Sequence, residues 1–217
     1  MANTTPALTQ LWAAENYAEK FAPLELPALA ALFPNGLAHG ILAEIHGNRS
    51  SGRSSLCLNI VAQATARGEC CTLIDFNDSF HPASAATAGV DLTRLLWVRC
   101  QGNAEHAMRA TDLVLHGGGF GVVVLDLCDA SARVLNRIPF SYWYRFRRAI
   151  ENTQTILLIL ASVAEAKSAS AGVKLAAKMF EWSGNAPFET VRTLHLQATL
   201  VKSPNLGTKP LAIEMVA

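Results

Sequence analysis

The decapeptide "HGNRSSGRSS", residues 46–55, fits the phosphate-binding pattern G-x-x-x-x-G-K-[ST] at Gly47, Gly52 and Ser54 and departs from it at Arg53, which holds the lysine position. In such a loop, backbone N–H groups and the N-terminus of the following helix form a seat for an anion. The binding set this predicts is Gly47, Asn48, Arg49, Ser50, Ser51, Gly52, Arg53, Ser54 and Ser55. A divalent cation riding on the phosphate needs a hydroxyl from the loop and a carboxylate at the end of an apolar strand. Ser54 provides the first, and Asp126 in "GVVVLDLCD" provides the second, so these two are the expected Mg²⁺ ligands. Arg53 keeps the positive charge. Its planar fork is longer than a lysine ammonium and differently shaped, so the exchange is not conservative in a tight loop.

The elements that must position these residues can be read from hydrophobic periodicity. "ILAEIHG" reads as a strand entering the loop, and residues 52–68 read as a helix leaving it. Downstream, "CCTLID", "LLWVRC", "GVVVLDL" and "TILLILAS" read as strands. They alternate with helices at "HPASAATAG", "NAEHAMRATDLVLHGG" and residues 141–153. That alternation predicts an α/β fold, a mostly parallel twisted sheet with helices on both faces, and the unbroken "VVVL" and "ILLIL" suit its central strands. "TVRTLHLQATLVKSP" and "PLAIEMVA" alternate around the turn "SPNLGTKP" and predict a C-terminal antiparallel hairpin on the sheet edge. Residues 6–22 carry a helical stripe of Leu8, Leu11, Trp12, Ala14 and Tyr17, and a Pro- and Gly-broken connecting segment follows. The expected organisation is an N-terminal helix and connector over residues 1–36 and a core domain over residues 37–217.

Composition limits the function classes. The chain of 217 residues is 51% hydrophobic and only 16% charged, with a net charge of +1, so no global field draws it to nucleic acid. Cys57, Cys70, Cys71, Cys100 and Cys128 show no zinc-site spacing and read as buried thiols. The N-terminus lacks a secretory pattern and no run is long enough to span a membrane, so a cytoplasmic location without membrane contact is expected. The six histidines show no metal-ligand spacing, and no G-x-S-x-G hydrolase elbow is present.

The run from "GLAHGILAEIHGNRSSGRSS" through "LID", "HP" and "GVDLTRLLW", followed by "GVVVLDL", resembles the ATPase core of the bacterial recombinase RecA, most closely from Leu37 to Val98. The resemblance implies a RecA-like P-loop core, with ATP and Mg²⁺ as the expected cofactors, bound weakly. It also exposes departures. Where the family has a glutamate that orients the attacking water, this chain has Asn77, with Asp78 beside it as the candidate substitute. No catalytic residue is assigned, because the amide of Asn77 cannot take a proton as a carboxylate does. Ser84 and His81 stand where the family stacks and contacts the adenine, and the stretches corresponding to the two DNA-binding loops are reduced, with Ser162 near the position of a coupling glutamine.

Basic residues outside the loop provide candidate DNA or partner contacts: Arg145, Arg147 and Arg148 in "YWYRFRR", and Lys167 and Lys174 after "TILLILAS". A helix that packs its rings inward and turns its arginines to solvent accounts for the same pattern. In size and in the erosion of its motifs the chain resembles the ImuA type of RecA relative. That resemblance implies an accessory role in DNA repair or damage-induced translesion mutagenesis with weak or no ATP hydrolysis, alongside a RecA-like neighbour or a polymerase-like partner, with homo-oligomers also open. Two other readings stay open on the sequence: an active DNA-dependent ATPase or recombinase, and an interaction module that binds no nucleotide.

Overall fold

The computed structural model describes residues 21–22, 30, 33, 36–164, 166, 168–184, 189–202 and 210–216, the last as backbone only. Short strands β1 (Phe21–Ala22) and β2 (Leu37–Ala38) pair antiparallel ahead of the main sheet. The helix read over residues 6–22 is corrected at its end, because Phe21 and Ala22 are extended and Ala22 is buried in the core. Residues 6–20 of that reading lie outside the described residues.

The main sheet follows the expected alternation. Its strands are β3 (Leu42–Gly47), β4 (Cys71–Asp75), β5 (Leu95–Arg99), β6 (Val122–Asp126), β7 (Ile156–Ala161), β8 (Ala171–Ser183), β9 (Thr190–Lys202) and β10 (Pro210–Val216). The helices are α1 (Arg53–Ala66), α2 (Pro82–Thr87), α3 (Ala104–Gly117), α4 (Ala132–Leu135) and α5 (Phe140–Ile150), with a 3₁₀ turn at Leu92–Arg94. The spatial order is β10-β9-β8-β3-β7-β6-β4-β5. The strands from β8 to β5 are parallel, and β9 and β10 close one edge antiparallel. The fold class and the C-terminal hairpin are therefore as the periodicity predicted.

The central strands β3, β4 and β7 are buried from end to end and β6 up to the half-buried Asp126. Full burial explains the continuous apolar sequence of β7. Two hydrophobic layers result. One lies under α1 and α2 and includes Ile45, Leu56, Ile60, Val124, Leu158, Leu175 and Leu196; the other lies under α3 and α5 and includes Leu42, Met108, Leu125, Trp143, Phe146 and Ile150. Trp143, Phe146 and Ile150 face inward from α5 while Arg145, Arg147 and Arg148 are exposed, so the aromatic residues of "YWYRFRR" are shared between core and rim.

The segment after β7 differs most from the sequence reading. Residues 162–170 make the connection, and what was read as the second reduced loop continues as the thirteen-residue β8. Its alanines and exposed Lys174 obscured the alternation, although Val173 and Leu175 point into the α1 layer. β8 pairs with β3 only from Ala171 to Leu175 and then runs on beside β9 as a two-stranded ribbon, with a register shift between Ala177 and Met179.

The turn after β4 is held by one carboxylate. Asp75 is 1% exposed. Its Oδ1 accepts from the N–H of Ser79 at 3.1 Å, and its Oδ2 accepts from the N–H of Phe80 at 2.9 Å and the indole Nε1 of Trp97 at 3.1 Å. Removing that acceptor strands three donors, at least one in a half-buried ring. Asp75→Ala should lower the unfolding free energy by about 3 kcal/mol, read as a shift of the urea midpoint with the slope unchanged.

Candidate functional site

β3 ends at Gly47, and the chain turns through residues 48–52 into α1. Gly52 caps the helix with φ 82° and ψ 10°, a left-handed conformation that glycine adopts without a steric cost. The cap has no side chain and the first turn has no acid, so neither the cap nor the first turn neutralises the positive end of α1. That is the electrostatic requirement for an external anion. Gly47 is dictated by packing. A Cβ there would overlap the carbonyl oxygen of Leu175 and lie 2.7 Å from the Ser51 hydroxyl. Ser51 is 2% exposed, and its hydroxyl is buried with no hydrogen-bond partner. An orphan hydroxyl beside unneutralised helix N–H groups fits a phosphate oxygen.

Arg53 does not project toward the open side of the loop. It is 7% exposed, and its Nη1 donates to the carbonyl of Ala161 at the end of β7, 2.7 Å away. β7 is the strand next to β3, with His46 opposite Ala161, so the cation at the lysine position is fastened to the neighbouring strand. Any phosphate that recruits this guanidinium has to compete with that bond. Ser54, by contrast, is exposed at the helix start.

Asp126 ends β6 as expected, with β7 lying between it and the loop strand. Its Oδ1 accepts from the N–H of Cys128 at 2.9 Å. Burial raises the pKa of its carboxyl above the ordinary value, more than the bonds from Cys128 lower it. A divalent cation would find its carboxylate here and its hydroxyl at Ser54, and it would relieve the cost of the buried charge. Burial also pushes up the thiols of Cys57, Cys71 and Cys128, Cys71 to about 12, so these are unreactive neutral groups. Cys70 is exposed, unlike the others.

At the mouth of the sheet the three connections meet. The Nη2 of Arg49 lies 3.7 Å from Oδ1 of Asp129, whose carbonyl accepts from the Asn77 amide at 3.5 Å. Asn77 is thus brought to the loop side. Asp78 sits at φ 58° with its carboxylate bound to Arg99 at 3.1 Å and to the N–H of Gln101 at 3.3 Å. Those bonds commit it to the end of β5, four strands from β3. Ser84 and His81 bond to each other at 2.9 Å and cap α2.

Of the other predicted contacts, Arg145 is engaged on α3 and Lys174 lies beside the strand that enters the loop. Arg145 is doubly bonded to Asp112, at 2.8 and 2.6 Å, and its guanidinium lies over the Tyr142 ring. Lys174 is exposed on β8, opposite His46 of β3, and Lys167 lies outside the described residues. Ser51 was in the predicted set, and sequence reasoning missed the Ala161 carbonyl and the side chains of Leu194 and Leu196 of β9, which pack on Gly52. A backbone acceptor leaves no mark in sequence, but the alternation of "TLHLQATL" marks the two leucines as facing one side.

The family model of the RecA N-terminal domain matches residues 20–134, just over half of the chain. The chain belongs to the RecA family. It is 38% identical over 96 residues to Protein RecA of Laribacter hongkongensis (strain HLHK9), covering 44% of this chain and 27% of that protein. It is 36% identical over 97 residues to Protein RecA of Haemophilus ducreyi, covering 45% and 26%. The matched stretch thus spans about a quarter of the length of these relatives. Among the described residues, no helix is long and apolar enough to cross a membrane, and no three His, Cys, Asp or Glu residues are grouped to hold a metal.

The raised pKa of Asp126 has a measurable consequence. Between the ordinary carboxylate range and its raised value, the folded chain holds a proton there that the unfolded chain has lost. Stability therefore falls as pH rises through that window, and the cost persists at neutral pH. Asp126→Asn keeps an acceptor for the Cys128 N–H and removes the cost. In the metal-free protein it should melt above wild type at pH 7 to 8, with the difference shrinking as pH falls toward the ordinary carboxylate range. A lower melting temperature at neutral pH would show instead that the ionised carboxylate stabilises the fold.

Proposed function

We propose that this RecA-family chain is an accessory protein of DNA repair or damage-induced translesion mutagenesis, in which the loop retains affinity for phosphate but hydrolysis is weak or lost. The observation that carries the reading is the burial of Arg53 and its bond to the Ala161 carbonyl. The side chain that would follow the migrating phosphoryl charge is fastened to the core. Electrostatic stabilisation of phosphoryl transfer depends on a cation already aimed at that charge, and this one is aimed at a backbone oxygen. Asn77 reinforces the reading, since the residue at the mouth of the loop is an amide, while the adjacent carboxylate of Asp78 is spent on Arg99.

Weak ATP and Mg²⁺ binding then serves to hold a conformation, and the protein acts through partners such as a RecA-like neighbour or a polymerase-like protein in the cytoplasm. The exposed arginines of α5 and Lys174 are candidate contacts to a partner or to DNA. The ImuA type of RecA relative is the kind of protein this role describes.

Phosphate release with ATP and Mg²⁺, measured with and without single-stranded DNA, tests this reading. Wild type should show little release and little stimulation. Arg53→Lys combined with Asn77→Glu should raise release at least tenfold by restoring a mobile cation and a base, since general-base assistance alone is worth about 10² to 10⁴. Rapid DNA-stimulated release by wild type would overturn the proposal in favour of an active ATPase.

A further inference from the structure

The ribbon formed by β8 and β9 carries aromatic residues that neither the core nor the phosphate seat uses. Phe180 is 37% exposed and Trp182 is 59% exposed. Their rings face each other at a centroid distance of 6.4 Å and a tilt of 35°.

Their face is set by the register. Leu194 and Leu196, two apart on β9, both reach the position a Cβ of Gly52 would occupy, so the loop-facing side of the ribbon is the side they share. Phe180 lies opposite Leu194 in the ladder, and cross-strand partners share a face. A second register shift falls between Glu181 and Trp182, which pairs with Val191, and the Trp182 ring still lies 6.4 Å from that of Phe180, which keeps the two on one face. Met179 and Glu181 alternate to the other side, where Glu181 pairs with His195 at 2.9 Å. β8 runs parallel to β3 and continues past its end at Gly47, and Leu194, the cross-strand partner of Phe180, reaches Gly52 at the N-terminus of α1, so Phe180 lies on the loop side with Trp182 two residues farther along the ribbon.

On the α2 side, the Ser84 hydroxyl is bonded to His81, and the nearby rings of Phe80 and Trp97 pack edge to face at 5.2 Å. The side of the loop that offers open aromatic surface is therefore the ribbon. We infer that Phe180 and Trp182 form a base-stacking platform for the phosphate loop, so that its ligand is a nucleotide held by phosphate on α1 and by its base on β8. This rests on the reading that the loop binds phosphate. Stacking of this kind tolerates any base, because every base presents a π-face. Little discrimination between ATP and GTP follows.

The test compares ATP with inorganic tripolyphosphate, each with Mg²⁺, by calorimetric titration of the full chain. On wild type, ATP should bind at least tenfold tighter than tripolyphosphate. Trp182→Ala should weaken ATP about five- to tenfold, and Trp182→Phe should retain most of the affinity. Neither substitution should move tripolyphosphate binding by more than twofold. Because Trp182 is exposed, the variant keeps its core, which far-ultraviolet circular dichroism checks.

Equal affinity of wild type for the two ligands would overturn the platform while leaving the phosphate site standing. So would Trp182→Ala affecting both ligands equally or neither, and such results would point to a protein partner or another segment of the chain as what covers the rings. Failure of wild type to bind either ligand would remove the phosphate reading and the platform with it.

Discussion

The close approach of Gly47 to the carbonyl of Leu175 sets the arrangement at the mouth of the sheet. With any side chain at that point β8 could not stay in register with β3, and the ribbon beyond it would have no fixed relation to the loop. Because the approach is allowed, one residue ends a strand, starts the loop and fixes how β8 leaves the sheet. The loop is then enclosed from three directions: by β7 through Ala161, by β9 through Leu194 and Leu196, and by the turn after β6 through Asp129. Such enclosure makes a rigid seat, and a rigid seat binds an anion without reorganising first.

Rigidity has a different meaning for Arg53. A buried guanidinium with a backbone acceptor is satisfied where it lies, and leaving a backbone carbonyl unpaired in the core is costly. Binding and turnover therefore make opposite demands on the same side chain. On the proposed function an anion is bound on α1 with Arg53 in place, whereas chemistry on that anion would need Arg53 to leave the Ala161 carbonyl. This division explains how a phosphate loop can keep its backbone shape while the side chains around it change.

Much of this was legible in the sequence because burial writes itself into periodicity. β6 and β7 are solid apolar runs since both their faces are covered, and α1 shows its inward stripe at Leu56, Ile60 and Ala64. Asp126 was found because strand-end position and residue type coincide. β8 was misread because its first half is buried on one face and its second half on neither, which leaves "AAKMFEWS" without a consistent period. Arg53 was identified but its direction was not, because the acceptor is a main-chain oxygen 108 residues away. Asp78 stood beside Asn77 in sequence, and its left-handed backbone is what turns the two side chains apart.

Past Leu175, β8 has a neighbour on one side only among the described residues, and an open strand edge carrying methionine and aromatic side chains is a template on which another chain could extend the sheet. The slip at Lys178 interrupts it. An extra residue there breaks the even spacing of N–H and C=O groups, and its ammonium group stands at the break. The ribbon can thus display Phe180 and Trp182 to solvent without seeding the edge-to-edge self-association that such a sequence would otherwise invite.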